Sequence, residues 1–262
     1  SWLTELSAKA ESAKPWLCGT AVPAAVADND AELLAVKEAE GALLISGEFI
    51  CPLHPGLAEI MVIPLKLIGV PRILGVKGES LVPYCREAYP GSGLLELPLA
   101  RLVLKEYPVS AEAGPVGAFP GEAALEQMRI GLYLGLSAVM AGNARAAAQY
   151  AWEYAGERAQ TGRPIIAHQD QRRALEAMKT AVEAARATAF AAAAVGDDGL
   201  DRARRAFLFA GGACEQVCLD AVQALGGYGY MKDYGLERRL RDTKTIQLLH
   251  GAHSLEWVGQ SW

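Results

Sequence analysis

The sequence predicts an α+β fold: a β-barrel or sandwich domain over residues 1–118, followed by a four-helix bundle over residues 119–262. Three observations carry this reading. Most of the 13 prolines lie in the first half, among short apolar runs. From about residue 120 the chain becomes rich in Ala and other strong helix formers. Breaks containing Gly, Pro or Asp then recur at helix-length intervals.

In the first half, "GALLISGEFI", "EIMVIPLKLIG", "RILGVKGE" and "LLELPLARLVLKEYPV" read as strands bounded by Gly and Pro. Prolines inside several runs mark edge strands or bulges. The opening "WLTELSAKAESA" reads as a short helix. In the second half, the stretch from Gly121 forms one helix of about 37 residues, a rod of about 55 Å at the standard rise. A second helix starts at about Gln169 and stops at "GDDG", where Asp198 or Gly199 can cap the next. The third runs to Ala224 and ends at Gly226-Gly227, and a fourth starts near Asp242. Small residues at helical spacing (Gly135, Ala138, Gly142) allow close helix contact. The first helix is apolar on most faces, which points to an oligomer.

The chain is 52% hydrophobic and 21% charged, the balance of a folded globular protein. A net charge of -5 argues against a nucleic-acid partner, although a local pocket for a nucleotide phosphate stays open. No apolar run reaches membrane-span length, because Pro64, Lys66, Pro71 and Arg72 interrupt the longest candidate. The expected location is the cytoplasm. Five cysteines without a CxxC pair give no metal or redox framework; Cys214 and Cys218, four apart on a helix, read as small buried thiols.

Three places can carry chemistry. In "YAGERAQTGRPIIAHQDQ", Arg158 stands at a helix end, where a guanidinium can pair bidentately with a phosphate or simply bond the helix C-terminus. In "QALGGYGY", Gly226 and Gly227 can take positive φ and admit a ligand or another backbone, or can form a plain helix-to-helix turn. The spacing is not that of a Rossmann phosphate loop. His250 and His253 lie three apart, half a metal site at most.

The same strings identify a family. "YAGERAQTGRPI…Q" and "QALGGYGYMKDYGLERRLRD" resemble the patterns Y-A-x-x-R-x-x-F-G-x-P-I…Q and Q-x-x-G-G-x-G-Y…E-R…R-D of the acyl-CoA dehydrogenases. The resemblance covers roughly residues 120–255. It extends more faintly to "AVPAAVAD", opposite T-E-P-x-A-G-S-D, and to "GEFICPLHPGLAEI", opposite G-x-K-x-W-I-T-N-x-x-x-A-D. It implies a flavoenzyme fold with an N-terminal helical domain, a middle β-domain and a C-terminal four-helix bundle; this chain is expected to lack the first. It further implies that Arg158 contacts the FAD pyrophosphate, and that Gln169, Gln223, Gly226 and Gly227 line the adenosine side. In the family these residues reach an FAD held mainly by the neighbouring subunit.

The departures are as specific. Where the family places W-I-T against the isoalloxazine ring, this chain has Cys51, Pro52 and Leu53. Ala21, Val22, Val26 and Ala27 replace Thr, Glu, Gly and Ser, and Thr161 replaces a Phe. His250 occupies the slot of the catalytic Glu. The alternative position of that Glu is Leu132, beside Tyr133 where an Arg is usual, so neither slot holds a carboxylate. Imidazole has a suitable pKa range for a base, but a base needs a flavin beside it.

The resulting expectation is an accessory subunit of a heteromeric FAD-dependent acyl-CoA dehydrogenase. It pairs in a heterotetramer with a full-length, active subunit, and acts on acyl-CoA through the complex. A bulky acyl group, such as a sterol-derived one, would suit it, in fatty acid or steroid degradation. The competing readings are a self-sufficient flavoenzyme using His250 and a cofactor-free scaffold on the same fold.

Overall fold

The computed structural model describes residues 18–20, 22–23, 35–39, 42–51, 54–67, 70–86, 92–95, 100–109, 121–194 and 199–249. The chain divides into two compact units, residues 1–91 with 95–126, and residues 92–94 with 127–262. The expected N-terminal helix lies outside the described residues.

The first unit is built from strands. One sheet runs β1 (Cys18–Thr20), β5 (Ile60–Leu67), β6 (Val70–Lys77), the first pair parallel and the second antiparallel. The other is antiparallel and runs β2 (Val22–Pro23), β4 (Ala42–Cys51), β8 (Ala100–Val109), β7 (Cys85–Arg86), with β3 (Ala35–Ala39) also paired to β4. Alternate residues of these strands point inward: Phe49 and Cys51, Met61 and Ile63, Leu74 and Val76, Ala100, Leu102 and Leu104 form one buried cluster. Both sheets feed that cluster, as in a sandwich. Among the described residues neither sheet closes into a barrel, so that alternative falls.

The prolines sit as the sequence predicts. Pro71 is on β6, an edge strand, and Pro64 lies past the end of β1, where β5 keeps one paired edge. The last predicted strand starts late: Leu94 and Leu95 are outside it. Between β4 and β8 the register shifts, with Ile45 opposite Tyr107 but Gly47 opposite Leu104. Glu106 takes φ +49° at this bulge, and its N–H donates to Ser46 Oγ at 2.8 Å.

Across the same pair, Arg101 forks onto Glu48, with Nη2 donating to Oε2 at 2.6 Å. That bond from Arg101 holds the Glu48 carboxyl below its ordinary range, against a smaller opposing effect of burial. A lowered carboxyl pKa contributes stability above its unfolded value and loses it as pH falls through the folded value. Both side chains are more than a third exposed, so solvent screens the pair.

The second unit is helical. Four long helices are described: α1 (Gly121–Glu157), α2 (Gln169–Ala193), α3 (Gly199–Ala224) and α4 (Leu236–Leu249). All four contribute to one buried cluster. The facing surfaces are unusually small: Ala141, Ala144, Ala148, Ala151 and Ala155 on α1, and Ala203, Ala210, Cys214, Cys218 and Ala221 on α3. On α1 they recur every three or four residues, and on α3 Phe207 fills the one longer step between Ala203 and Ala210, the spacing of one helix face. Burial pushes the Cys214 and Cys218 thiols up to about 12 and about 11. They are apolar filler, as the sequence reading has it. Among the described residues no helix is long and apolar enough to cross a membrane, and no cluster of ligating side chains could hold a metal.

The first three helices match their predicted spans. The fourth begins at Leu236, before the expected start near Asp242. Gly235 takes φ +67°, and its carbonyl accepts the Arg239 N–H at 3.3 Å, so it caps the helix without a side-chain oxygen. That cap is the least conspicuous in a sequence. Buried polar groups then fasten α4. Asn143 of α1 donates to the Arg239 carbonyl at 2.7 Å and to Thr243 Oγ1 at 2.9 Å, while Arg239 donates to its Oδ1 at 3.0 Å. Gln247 donates to the Gly211 carbonyl of α3 at 2.6 Å.

Two outcomes follow. Asn143→Ala removes the amide that ties Arg239 and Thr243 of α4 to α1, and should lower unfolding free energy by about 1–3 kcal/mol in a urea titration. Glu48→Gln should lower the neutral-pH melting point slightly and flatten, by the same small amount, the loss of stability on acidification below the ordinary carboxylate pKa.

Candidate functional site

The site forms at the helical unit's corners, where α1 and α3 stop. The Arg158 N–H still donates to the Tyr154 carbonyl at 2.8 Å, the last helical bond of α1. The Arg158 carbonyl accepts the Ile165 N–H, also at 2.8 Å. Between these two bonds the chain makes a small hairpin, β9 (Ala159–Gln160) against β10 (Arg163–Pro164). Its turn residues both have positive φ, Thr161 at 54° and Gly162 at 82°, which is the pairing a tight two-residue hairpin requires. Glycine adopts this freely; a β-branched Thr does not. Thr161 Oγ1 donates to its neighbour's carbonyl, Gln160 O, at 2.7 Å.

His168 closes the corner. Arg163 Nη2 lies 3.1 Å from its Nδ1, and the Gln160 carbonyl lies 3.3 Å from its Nε2. A guanidinium can only donate, so Nδ1 accepts and Nε2 carries the proton toward the carbonyl. The ring thereby ties the hairpin to the start of α2.

At the other corner, α3 ends at Ala224 and a 3-10 segment, Gly226–Tyr230, follows. Gly226 takes φ +59°. Gly227, expected to share this freedom, does not need it; its φ is not in the left-handed range. The close backbone approach falls instead at Gly229, where an added Cβ would lie 2.2 Å from the Val222 carbonyl oxygen. The 3-10 segment therefore folds back over the last turn of α3.

Together the corners enclose a cleft of about 710 Å³. Arg158, Gln223, Gly226 and Gly227 all line it, with Thr161, Asp170 and Tyr228. Arg158 is exposed, and among the described residues no protein group pairs with its guanidinium. The helix C-terminus does not consume it. The Gln223 amide is likewise exposed and without a partner among the described residues. Gln169 departs from expectation: it is exposed at the first position of α2 but does not line the cleft, whereas His168 and Asp170 on either side do. Asp170 was missed by sequence reasoning, since an acid in a first helical turn carries no signal beyond the helix dipole.

The remaining candidates separate from this cleft. His250, Pro52, Leu53, Ala21, Val26 and Ala27 lie outside the described residues. Leu132 is half-buried on α1. Tyr133 is buried, 5.3 Å between ring centres from Phe207, and burial raises its phenol pKa. Cys51 is 0% exposed at the end of β4, within the sandwich core, and burial pushes its thiol up to about 12.

Thr161 gives a direct check of the hairpin. Thr161→Asn places a residue that tolerates left-handed φ at this turn, and should raise stability by about 1 kcal/mol, read as a higher urea midpoint at unchanged slope.

Comparisons place this geometry. Residues 122–257 match the family described as acyl-CoA dehydrogenase, C-terminal domain. An acyl-CoA dehydrogenase of Bacillus subtilis (strain 168) is 43% identical over 126 residues, covering 47% of this chain and 33% of that relative. A cyclohexane-1-carbonyl-CoA dehydrogenase of Geobacter metallireducens is 38% identical over 107 residues, 40% of this chain and 28% of the relative. The solved butyryl-CoA dehydrogenase from Megasphaera elsdenii superposes with a TM-score of 0.76 at 26% identity, over 88% of this chain and 63% of that one. The matched stretch thus spans about a third of the length of these curated relatives.

Proposed function

We propose, for a chain that belongs to the acyl-CoA dehydrogenase family over more than half its length, the role of accessory subunit in a heteromeric FAD-dependent acyl-CoA dehydrogenase. In this role it helps to hold the FAD of a full-length partner subunit, and the complex desaturates an acyl-CoA between its α and β carbons. The family's enzymes are FAD-dependent.

One observation carries the reading: a free guanidinium, Arg158, shares a cleft with the Gln223 amide and the bare backbone of Gly226 and Gly227. These groups fit the nucleotide end of FAD. A planar guanidinium matches two phosphate oxygens at once. Gly226, with open space where a Cβ would stand, leaves room for a ligand against the backbone. The Gln223 amide offers both a donor and an acceptor to a base edge. The position aligned with the family's ring-packing Trp is different in kind. Cys51 turns into the sandwich core and presents neither a flat surface nor an ionised group. The chain therefore offers contacts to the nucleotide end, and none from Cys51 to the ring end.

When bound, the flavin supplies the acceptor for the hydride that leaves the acyl group. In this proposal Arg158, Gln223 and the glycines anchor and orient its nucleotide end, while the partner contributes the ring platform and the carboxylate base. His250, in the slot of that base, is not needed for the partner's reaction.

Expressed alone, the protein should be colourless. Co-expressed with a full-length acyl-CoA dehydrogenase partner, it should co-purify as a yellow hetero-oligomer by native mass and absorbance. Arg158→Gln in this chain removes charge-assisted bonds to phosphate and should weaken FAD retention by about 10- to 100-fold. A yellow homomer, or a complex whose FAD ignores Arg158, would sink the reading.

A further inference from the structure

We propose that Asp170 is a specificity residue of the same cleft: its carboxylate accepts the ribose hydroxyls of an ADP group and turns away an ADP group that carries a 3′-phosphate. The inference rests on the nucleotide-binding reading given above.

The starting point is an electrostatic mismatch inside one cleft. Arg158 and Asp170 both line it, yet they form no ion pair, so their charged atoms are more than 4.0 Å apart. Among the described residues neither has another partner. A lone phosphate or carboxylate would answer the guanidinium and be repelled by the carboxylate. A ligand that satisfies both must carry an anion at one point and hydrogen-bond donors at another. A nucleoside diphosphate does so: its phosphates meet Arg158, and its ribose cis-diol gives two O–H donors to the acceptor-only carboxylate. The Tyr228 ring and the Gln223 amide in the same wall suit the base.

The consequence concerns selectivity. An acyl-CoA dehydrogenase meets two ligands built on ADP. FAD has a free ribose diol, whereas coenzyme A carries a phosphate on the 3′-oxygen. Placing that dianion against Asp170 removes one donor and adds a like-charge repulsion. The carboxylate thus admits the nucleotide of the cofactor and excludes that of the substrate. An acid in the first turn of α2 also favours the helix dipole, but that role is blind to the ribose.

The test is calorimetric titration of the full chain with ADP and with 3′-phospho-ADP, using wild type, Asp170→Asn and Arg158→Gln, with a melting curve for each. Wild type should bind ADP about tenfold or more tighter than 3′-phospho-ADP, as expected for one lost charged hydrogen bond plus repulsion. Asp170→Asn should bring the two affinities within about twofold of each other, and Arg158→Gln should weaken both. Arg158-dependent binding with no preference for ADP, or with a preference that survives Asp170→Asn, overturns this proposal and leaves the cofactor role standing. A lower melting point for Asp170→Asn with an unchanged preference likewise assigns the residue to the helix alone. If neither nucleotide binds, or Arg158→Gln changes nothing, this proposal is overturned, and the nucleotide-binding role is decided separately by whether Arg158→Gln lowers FAD retention in the co-expressed complex.

Discussion

A guanidinium remains available to a ligand only where the backbone around it has no claim on it, and that condition holds at Arg158. A helix leaves its last carbonyls without intrahelical donors. At the end of α1 the chain supplies its own donors: Arg158 N–H bonds the Tyr154 carbonyl, and after the hairpin the Ile165 N–H returns to the Arg158 carbonyl. The end of α2 shows the other outcome. There the Ala194 carbonyl takes the Arg202 side chain as its partner. At one helix end a backbone N–H serves the carbonyl, at the other an arginine side chain does, and the first arrangement leaves Arg158 free.

The hairpin that frees Arg158 needs firm ground beneath it. Toward its end α1 contributes mainly alanines, Ala144, Ala148, Ala151 and Ala155, to the core it shares with α3, while Tyr133 packs on Phe207 nearer its start. Small side chains have few rotamers to lose on burial. The end of α1 and the end of α3 can therefore wall one cleft. Gly229, pressed against the Val222 carbonyl, turns the chain back at once after α3 and keeps Gly226 and Gly227 at the cleft. On the opposite side of the unit's connectivity, Asn143 and Gln247 give α4 a single register against α1 and α3. Apolar contacts between alanines would tolerate sliding; hydrogen bonds to named carbonyls do not.

Much of this was legible in the sequence because it rests on periodicity and on punctuation. Short apolar runs bounded by Gly and Pro marked β4, β5 and β6, and long runs of helix formers marked α1, α2 and α3. Arg158, Gln223, Gly226 and Gly227 were picked from two separate strings and lie together in the structure. What escaped depends on three-dimensional neighbours. The start of α4 was hidden by a glycine cap. The demand at Gly229 comes from a carbonyl seven residues back, which no local pattern announces. Whether Asp170 or Gln169 lines the cleft is a matter of about 100° of helix rotation, finer than any strand-or-helix reading resolves. The bulge at Ser46 and Glu106 was equally invisible, since a hydroxyl that caps one stray N–H looks like any other serine.

Under the proposed role, the contrast between Cys51 and Arg158 has a physical logic. A dinucleotide presents two chemically different ends, an anionic nucleotide and a flat, largely apolar ring. Groups for one end do not substitute for groups at the other, and the two sets here belong to different units of the chain. When a cofactor is held between subunits, one chain's contribution to its neighbour's site is independent of what it offers a cofactor of its own. A sandwich core that absorbs Cys51 in place of a ring-packing surface therefore leaves the free charge at the end of α1 untouched.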